Sequence, residues 1–397
     1  RVFLHDYGGY AFTAQLGRAL AGRGHQVLYS YSLTTQLMQR FSPQPVTDDF
    51  VVEGIKLSRP FTRYNYVKRR RDEQSHGQTV ARQVRAFRPD IVLSANTPLD
   101  AQKLIQRASR EGGAKFLFWM QDVIGLATRR ELASRIPLLG RVIGDHYLRM
   151  EKQLARQGDG VVVIAADFSD YLRGWGVDPA QIHVIPNWAP LHEIPVLPKD
   201  NPWARAHNLV DKFVFHYSGV LGLKHDTRMF LALAQAFKRQ PDVRVVVTAE
   251  GPFAATLRSE AGNKKLDNLL LLPYQPAVDY PDMLATADVL MSVLNPDASI
   301  YSVPSKVYAY MCAARPQLLS ISADNPAAKL ISAHQMGLVS TPGDVDAWLG
   351  NARALYQNRY NNSQMGINAR AYAEENFDIE RITDAFESIM QQSLKGS

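Results

Sequence analysis

The fold is decided by one stretch, SVPSKVYAYMCAARP, at residues 302–316. The apolar residues 288–293 before it predict a buried strand, and residues 294–301 predict a short loop. Pro304 predicts the first turn of a helix, because the N–H that proline lacks would have no partner there. The order strand, loop and helix indicates a unit of an α/β sheet.

The start of this predicted helix also favours a bound anion. The backbone N–H groups beside Ser305 point out of a helix end that carries roughly half a positive charge. Lys306 adds a full positive charge in the same turn, where a cation opposes the helix dipole, and a bound phosphate would explain its presence. The alternative, a capped surface helix with a solvated lysine, stays open on spacing alone.

Length and composition set the class of protein. The chain has 397 residues, which suffice for two α/β domains with full cores. Its single cysteine, Cys312, excludes an internal disulfide and fits a reducing cytosol. No apolar run reaches the ~18 residues that span a bilayer. No signal peptide is visible, although the chain opens directly on a predicted strand, Arg1 to Leu4.

The positive charge is concentrated in the first half. Residues 1–195 carry 26 Lys and Arg against 18 Asp and Glu, and the remainder carries 19 against 20. The densest run is interleaved with Tyr64 and Tyr66 and contains Arg63, Lys68, Arg69, Arg70, Arg71, Arg82, Arg85 and Arg88. Such a run either forms a solvated face, binds an anionic membrane surface or, as a third alternative, binds nucleic acid. No nucleic-acid module accompanies it. Our hypothesis is that Lys68, Arg69, Arg70 and Arg71 face a membrane and that nucleic acid is not a partner.

A long helical region is predicted from Leu126 to Gln157, with a break at Pro137. Its face mixes apolar residues with arginines, namely Leu138, Leu139, Val142, Ile143, Tyr147 and Leu148 with Arg129, Arg130, Arg135, Arg141 and Arg149. An apolar stripe flanked by arginines lies on a membrane in some proteins. The commoner alternative is a helix that faces the core, and the sequence leaves both open.

The first half predicts a doubly wound sheet. Residues 2–4 and 26–29 are predicted strands, separated by a glycine turn and a helix with apolar residues at helical spacing. Further strands are predicted at 91–94, 116–120, 160–164 and 183–185, and the proline-rich residues 186–202 predict a linker. Asp122 follows a predicted strand, at a sheet edge where ligands bind, so it either takes part in chemistry or caps the next helix.

A second α/β unit is predicted to start at residue 213. Its first strand, 213–217, leads into a turn that contains Gly219, Gly222 and Lys224. Two glycines allow close backbone approach, and Lys224 can neutralise a phosphate, as Lys306 can at another strand end of the same sheet. Further strands are predicted at 243–247, 268–272, 317–321 and 337–339, and a terminal amphipathic helix at 376–397.

These stretches together resemble a known family. V-P-S-K-V-Y-x-Y-M-x-A-x-R-P at 303–316 is similar to the donor-binding helix of GT-B glycosyltransferases of the large retaining family 4. The pattern resembles the bacterial branch around the colanic-acid and O-antigen fucosyl- and N-acetylfucosaminyltransferases. The first glycine turn, Gln121-Asp122, V-I-P-N at 184–187 and Y-S-G-x-x-G-x-K at 217–224 match in the same order. Most of that family carries two glutamates in this stretch, where this chain has Ser302 and Ala309.

The resemblance implies an α/β fold of the GT-B type, with two Rossmann-like doubly wound domains facing across a cleft. It implies an N-terminal acceptor domain at residues 1–190 and a C-terminal donor domain for a nucleotide sugar at 191–377. The terminal helix, at about 378–397, would cross back to the first domain.

The resemblance also implies a retaining transfer of a sugar from a nucleoside-diphosphate sugar, UDP first and GDP second, to a lipid-linked or oligosaccharide acceptor. It implies no metal and no cofactor, and a cytoplasmic enzyme on the inner face of the plasma membrane. The implied catalytic residues are Asp122, Lys224 and Lys306. The implied donor-binding residues are Gly9, Ser218, Gly219, Gly251, Tyr274, Ser302, Val303, Pro304 and Ser305. A sugar-nucleotide epimerase of the same shape and a non-catalytic nucleotide- or sugar-binding protein are the alternatives.

Overall fold

The computed structural model describes residues 1–33, 47–56, 66–359 and 362–395, and these form two α/β units. The N-terminal unit comprises Arg1–Asn187 together with Ile379–Ser397, and the C-terminal unit comprises Trp188–Asp378. Arg63 and Tyr64 of the basic run lie outside the described residues, as do the side chains of Tyr66 and Arg135. No helix among the described residues is both long enough and apolar enough to cross a membrane.

Among the described residues of the N-terminal unit, seven parallel strands form one sheet. They are β1 (Val2–Asp6), β2 (Val27–Ser32), β3 (Phe50–Ile55), β4 (Ile91–Ala95), β5 (Lys115–Met120), β6 (Gly160–Val163) and β7 (Ile182–Val184). Their order is β3-β2-β1-β4-β5-β6-β7. The strand order therefore reverses between β1 and β4, and ligands of open α/β sheets bind outside the carboxyl ends of strands at such a switch point.

Helices connect the strands of this unit. They are α1 (Ala11–Gly22), α2 (Tyr66–Phe87), α3 (Leu99–Glu111), α4 (Ile124–Arg135), α5 (Pro137–Gln157) and α6 (Ala166–Gly174), with the last helix of the chain, Ile379–Lys395. The buried Phe386 of that last helix packs on Trp119, with 4.9 Å between the ring centroids. Arg23, after α1, donates hydrogen bonds to Glu380, Asp384 and Glu387. The terminal helix thus belongs to the core of the N-terminal unit.

In the described part of the C-terminal unit, six parallel strands form one sheet. They are β8 (Phe213–Val220), β9 (Val243–Glu250), β10 (Leu269–Leu272), β11 (Val289–Val293), β12 (Gln317–Ser320) and β13 (Gly337–Ser340), in the order β10-β9-β8-β11-β12-β13. The switch point lies between β8 and β11. The helices are α7 (Pro202–Ala206), α8 (Arg228–Ala236), α9 (Pro252–Asn263), α10 (Tyr280–Thr286), α11 (Ala298–Tyr301), α12 (Lys306–Cys312), α13 (Pro326–Ala333), α14 (Val345–Gln357) and α15 (Ser363–Asn376), and the last helix, Ile379–Lys395, becomes α16.

Two doubly wound parallel sheets confirm the fold class predicted from the sequence, and several boundaries differ from the prediction. β8 runs on to Val220, because Ser218 and Gly219 still pair with β9, so both residues lie in a strand and not in a turn. The predicted loop at 294–301 contains α11. The proline-opened helix begins at Lys306, two residues after Pro304. β3 was not predicted, since only its two end residues, Phe50 and Ile55, are buried.

The terminal helix was also placed too early. Asn376 ends α15, and α16 begins only at Ile379. Phe377 lies between them and packs its ring against Tyr308 and Tyr372 of the C-terminal unit. A single amphipathic pattern therefore spans two helices that belong to different units.

Candidate functional site

The C-terminal unit brings two lysines to its switch point. Lys224 follows β8, and Lys306 follows β11, the two neighbouring strands between which the strand order reverses. Because parallel strands end at the same edge of a sheet, both lysines lie where a ligand of this fold type binds.

The loop that carries Lys224 is fixed to the loop after β11. The Lys224 Nζ donates a hydrogen bond of 2.9 Å to the Ser302 Oγ, and the Lys224 carbonyl accepts one of 2.8 Å from the Asn295 N–H. Ser302 is buried, and its carbonyl accepts a hydrogen bond of 2.9 Å from the Asn325 side chain. Asn325 also binds the Ser299 carbonyl at 2.8 Å. The loop conformation that presents Ser302 to Lys224 is thus held by a buried amide.

Lys306 lies close to the backbone of Gly219. Its Nζ is 3.5 Å from the centroid of the Tyr217 ring, a cation–π contact. Gly219 has φ +153°, and a Cβ placed on it would lie 2.7 Å from the Lys306 Nζ. Only a residue without a side chain therefore lets the ammonium group take this position.

Two further contacts hold this edge of the sheet in place. The Ser218 N–H donates a hydrogen bond of 3.2 Å to the hydroxyl of Tyr310, a buried residue of α12, so the helix that carries Lys306 is attached to β8. Gly251, at the end of β9, has φ +115°, and a Cβ there would lie 2.5 Å from the Leu221 carbonyl oxygen. Gly251 thus allows β9 to turn closely around the loop after β8.

The other predicted donor residues are placed differently. Val303, Pro304 and Ser305 lead into α12, and the Pro304 carbonyl accepts a hydrogen bond of 3.2 Å from the Val307 N–H. Tyr274 is half-buried and follows β10, the edge strand that lies two strands away from β8. The structure thus brings Lys224 to Ser302 and Lys306 to Gly219, and it places Tyr274 after a strand two positions away in the sheet.

In the N-terminal unit, the glycine turn is built on a buried carboxylate. Asp6 ends β1 and accepts hydrogen bonds from the Gly9 N–H, from the Tyr10 N–H at 3.2 Å and from the Tyr29 hydroxyl at 2.7 Å. Burial raises the pKa of Asp6 to about 6, while these hydrogen bonds act in the opposite direction. Gly9 adopts φ +67°, which an L side chain tolerates poorly. Asp6 therefore fixes the turn that the sequence predicted to face a ligand.

Asp122 is half-buried just after β5, and its charge raises the pKa of Tyr10 and of Glu151. Burial, and then the charges of Asp122 and Asp6, raise the pKa of Tyr10, whose side chain is hydrogen-bonded by Asn96 after β4. These residues follow β1, β4 and β5, three neighbouring strands that include the switch point. Asp122 therefore lies at the edge of the sheet where the sequence predicted chemistry.

The first turn of α4 is capped by a residue from another helix. The N–H groups of Ile124 and Gly125 each donate a hydrogen bond of 2.8 Å to Glu151 of α5, which is fully buried. Burial raises the pKa of Glu151 to about 8, the two N–H groups lower it, and the charge of Asp122 raises it further. Glu151 therefore carries a proton at neutral pH. It caps the N-terminus of α4 from its position on α5.

The residues predicted to face a membrane begin α2. Lys68, Arg70 and Arg71 are exposed. Arg69 forms an ion pair of 2.7 Å with Glu73, and Arg70 one of 3.3 Å with Asp100. Acidic side chains of the protein thus neutralise part of the positive charge of this run.

Sequence reasoning did not identify Asp6, Glu151 or Asn325. Asp6 was placed in a turn, whereas it ends a strand that is buried throughout. Glu151 lies 27 and 26 positions from the two N–H groups it binds, so no local pattern reveals it. Asn325 does have a local signal, since asparagine followed by Pro326 is typical of a helix start.

Comparison with known proteins adds a family match. Residues 8–188 match the model of the glycosyl transferase 4-like domain. The probable glycosyltransferase WbjE of Pseudomonas aeruginosa is 24% identical over 268 residues, which are 66% of this chain and 64% of that protein. The match therefore spans less than two thirds of the relative's length.

Solved structures match nearly the whole chain. Sucrose-phosphate synthase from Thermosynechococcus elongatus is 16% identical, with a TM-score of 0.75 over 100% of this chain and 99% of that one. Anabaena Alr3699/HepE, solved with UDP and glucose, is 14% identical, with a TM-score of 0.73 over 98% and 99%. At these identities the likeness shows the fold, which is GT-B as predicted. The domain match and the relative WbjE make the chain similar to glycosyltransferases. The finer resemblance to fucosyltransferase-like enzymes stays a prediction.

Proposed function

We propose that this protein is a retaining glycosyltransferase that moves a sugar from a nucleoside-diphosphate sugar to a lipid-linked or oligosaccharide acceptor. The observation that carries the proposal is the pair of cations, Lys224 and Lys306, at the switch point of the C-terminal sheet. Lys224 reaches the buried Ser302, and Lys306 lies against the side-chain-free backbone of Gly219. Two lysines beside an open backbone suit a diphosphate.

The lysines would act on the leaving group. In the transfer, the bond between the anomeric carbon and the phosphate oxygen breaks while the acceptor oxygen bonds to the same face of the sugar. The acceptor proton passes to the leaving phosphate. Charge that develops on the diphosphate is stabilised by Lys224 and Lys306, which are already in place before the reaction and need no metal. Asp122 is proposed to orient the acceptor hydroxyls, and Gly9 to leave room for the transfer.

We propose UDP as the nucleotide, with GDP second. Two observations on other proteins support this choice, since Alr3699/HepE was solved with UDP, with UDP and glucose, and with UDP-glucose, and a putative UDP-N-acetylglucosamine 2-epimerase from Listeria monocytogenes shares the fold at a TM-score of 0.64. Val303, Pro304, Ser305 and Tyr274 are proposed to complete the donor site, as the sequence resemblance implies.

The acceptor is proposed to be a lipid-linked sugar of bacterial cell-surface polysaccharide synthesis, reached from the cytoplasmic side of the plasma membrane. The excess of 26 Lys and Arg over 18 Asp and Glu in residues 1–195 supports an anionic surface as a partner. Lys68, Arg69, Arg70 and Arg71 are proposed to face that surface.

Nucleotide binding tests the donor site. A thermal-shift panel of UDP, GDP, ADP, dTDP and their sugars, with NAD as a control, should give a rise of several degrees with UDP compounds. Lys224→Ala and Lys306→Ala should each abolish most of that rise and cut turnover by ~10²-fold or more. The matched control is Lys264→Ala, an exposed lysine at the end of α9. Turnover near that of the wild type in either site variant would refute the assignment. Nucleotide-sugar turnover without any acceptor would instead favour the epimerase alternative.

A further inference from the structure

The first turns of α5 present apolar side chains to solvent, and we propose that this surface inserts into an anionic phospholipid bilayer. We call it the apolar tip; it consists of Ile136, Leu138, Leu139, Val142 and Ile143. This inference rests on the proposed function in one respect only, because a lipid-linked acceptor would explain why the enzyme binds a membrane. The binding itself is an independent physical claim.

The exposure of the apolar tip is large and continuous. Leu138 is 84% exposed, Val142 64% and Leu139 57%, and Ile136 and Ile143 flank them at 49% and 37%. Single exposed apolar residues are common on soluble proteins, whereas a contiguous group marks a surface that binds a partner or a membrane. For these two turns the structure contradicts the alternative of a core-facing helix.

Two glycines explain why this face points outward. Gly140 and Gly144 are buried, and a Cβ on Gly140 would lie 2.1 Å from the Leu132 carbonyl oxygen. A Cβ on Gly144 would lie 2.4 Å from the Arg129 Cα. The backbones of α4 and α5 therefore touch along the glycine face. At 100° per residue, Leu138 and Val142 fall on the opposite face of α5, away from α4.

Positive charge surrounds the apolar tip. The segment 124–157 contains seven Arg and Lys against three Asp and Glu. One of the three acids, Glu151, is fully buried, and Asp145 forms an ion pair of 2.7 Å with Arg129. Arg141 and Arg149 are exposed on α5 itself. Exposed apolar side chains with a cationic rim are the pattern of a helix that lies in the interface of an anionic membrane.

The basic start of α2 adjoins this surface. Asp100 of α3 accepts a hydrogen bond of 2.7 Å from the Tyr147 hydroxyl, one helical turn after Ile143, and pairs with Arg70. Glu131 of α4 acts electrostatically on Arg69. The exposed Lys68 and Arg71 therefore extend the cationic rim. A protein partner would need acidic residues to match this rim, whereas an anionic bilayer offers negative charge and an apolar interior together.

Vesicle sedimentation tests the proposal with the full chain. The wild type should sediment with vesicles of phosphatidylcholine and phosphatidylglycerol, more weakly as salt rises, and far less with pure phosphatidylcholine. Leu138→Ser with Val142→Ser should weaken binding by about tenfold or more, because two inserted side chains are lost. Both residues are exposed, so the double variant should unfold like the wild type. The matched control is Val278→Ser, an apolar residue 82% exposed in the C-terminal unit, which should bind as the wild type does.

Insertion can be read directly. The single cysteine, Cys312, is buried, so Leu138→Cys can be labelled selectively with a polarity-sensitive fluorophore. Anionic vesicles should shift its emission to the blue, and the same label at Val278→Cys should not respond. Three outcomes would overturn the proposal: no vesicle binding by the wild type, equal binding by the double variant, or a dimer that dissociates in the double variant without any response to vesicles.

This test is separate from that of the proposed function. UDP binding by the double variant should equal that of the wild type, because the apolar tip contributes nothing to the donor site. Normal UDP binding without vesicle binding would reject the membrane surface alone. Vesicle binding that depends on Leu138 and Val142, with no response to any nucleotide, would reject the transferase and leave the membrane surface standing.

Discussion

Replacing Gly219 with alanine adds one methyl group at the point where the backbone of β8 meets Lys306. The new Cβ would lie 2.7 Å from the Lys306 Nζ and 3.2 Å from its Cε, both at the end of a flexible side chain. The chain can therefore accept the methyl group by moving the lysine. We expect the variant to fold but to lose the position of the ammonium group.

The cost to folding can be worked from the structure. A non-glycine residue at φ +153° carries a strain of about 1–3 kcal/mol, and the lost contact of Lys306 with the Tyr217 ring adds about 1 kcal/mol. A domain of this size is stable by about 5–15 kcal/mol, so the variant should remain folded at assay temperature. Turnover should nevertheless fall by ~10²-fold, as in Lys306→Ala, because the same cation is removed from the diphosphate.

A double-mutant cycle decides whether Gly219 acts through Lys306. If it does, Gly219→Ala combined with Lys306→Ala should be no slower than Lys306→Ala alone, once each kcat is corrected for the folded fraction. Two multiplied losses would refute the reasoning, and so would normal turnover in Gly219→Ala.

Two other glycines serve as controls for Gly219→Ala. A Cβ on Gly251 would meet the Leu221 carbonyl, a backbone atom that cannot move aside, so Gly251→Ala should lower Tm more than Gly219→Ala does. Gly262 is the last residue but one of α9 and has nothing within 4 Å of its Cβ position, so Gly262→Ala should leave both Tm and turnover close to those of the wild type. Equal Tm losses at Gly219 and Gly251 would contradict the contrast between a movable and a fixed neighbour.

Two further predictions concern the N-terminal unit. The pKa of Glu151 is raised to about 8 from 4.5, so between these values the native state holds a proton that the unfolded chain releases. The unfolding free energy of the wild type should therefore fall by ~1.4 kcal/mol per pH unit as pH rises from about 5 to 8. Glu151→Gln should lack that slope in urea melts, whereas the exposed Glu260→Gln should keep it; parallel curves for Glu151→Gln and the wild type would contradict the buried proton. Phe386→Ala should cost about 3–5 kcal/mol of unfolding free energy, because the ring is fully buried against Trp119, and a loss below ~1 kcal/mol would mean that α16 is not part of that core.

The fold was predictable because long apolar runs, such as Phe116–Met120, leave little choice but a buried parallel strand. The order of strands and helices then fixed two doubly wound sheets. What escaped prediction is decided by tertiary context. β3 has only two inward residues, and the pattern at 376–397 runs across a boundary where Phe377 turns toward aromatic rings of the C-terminal unit.

The candidate site divides in the same way. Lys224 and Lys306 were predicted because each follows a strand, and strand ends meet at the switch point. Their assignment as catalytic residues stays a prediction. The side chains that hold them are remote in sequence, since Asn325 lies 23 positions from the Ser302 carbonyl that it binds. Sequence patterns locate loops well, but they do not show which distant amide or carboxylate fixes each loop.

The contact between Lys224 and Ser302 gives the lysine a polar partner in a chain that lacks the family's glutamates. A serine hydroxyl accepts the hydrogen bond of the Lys224 ammonium group at 2.9 Å, as a carboxylate would. The serine brings no negative charge, whereas a glutamate at this position would offset the lysine. The proposed donor site, with Ser302, therefore presents more net positive charge to its ligand than it would with a glutamate at this position. That difference favours a strongly anionic ligand such as a diphosphate. The sugar and the ribose must then be recognised by other residues, because neither position 302 nor position 309 carries a carboxylate.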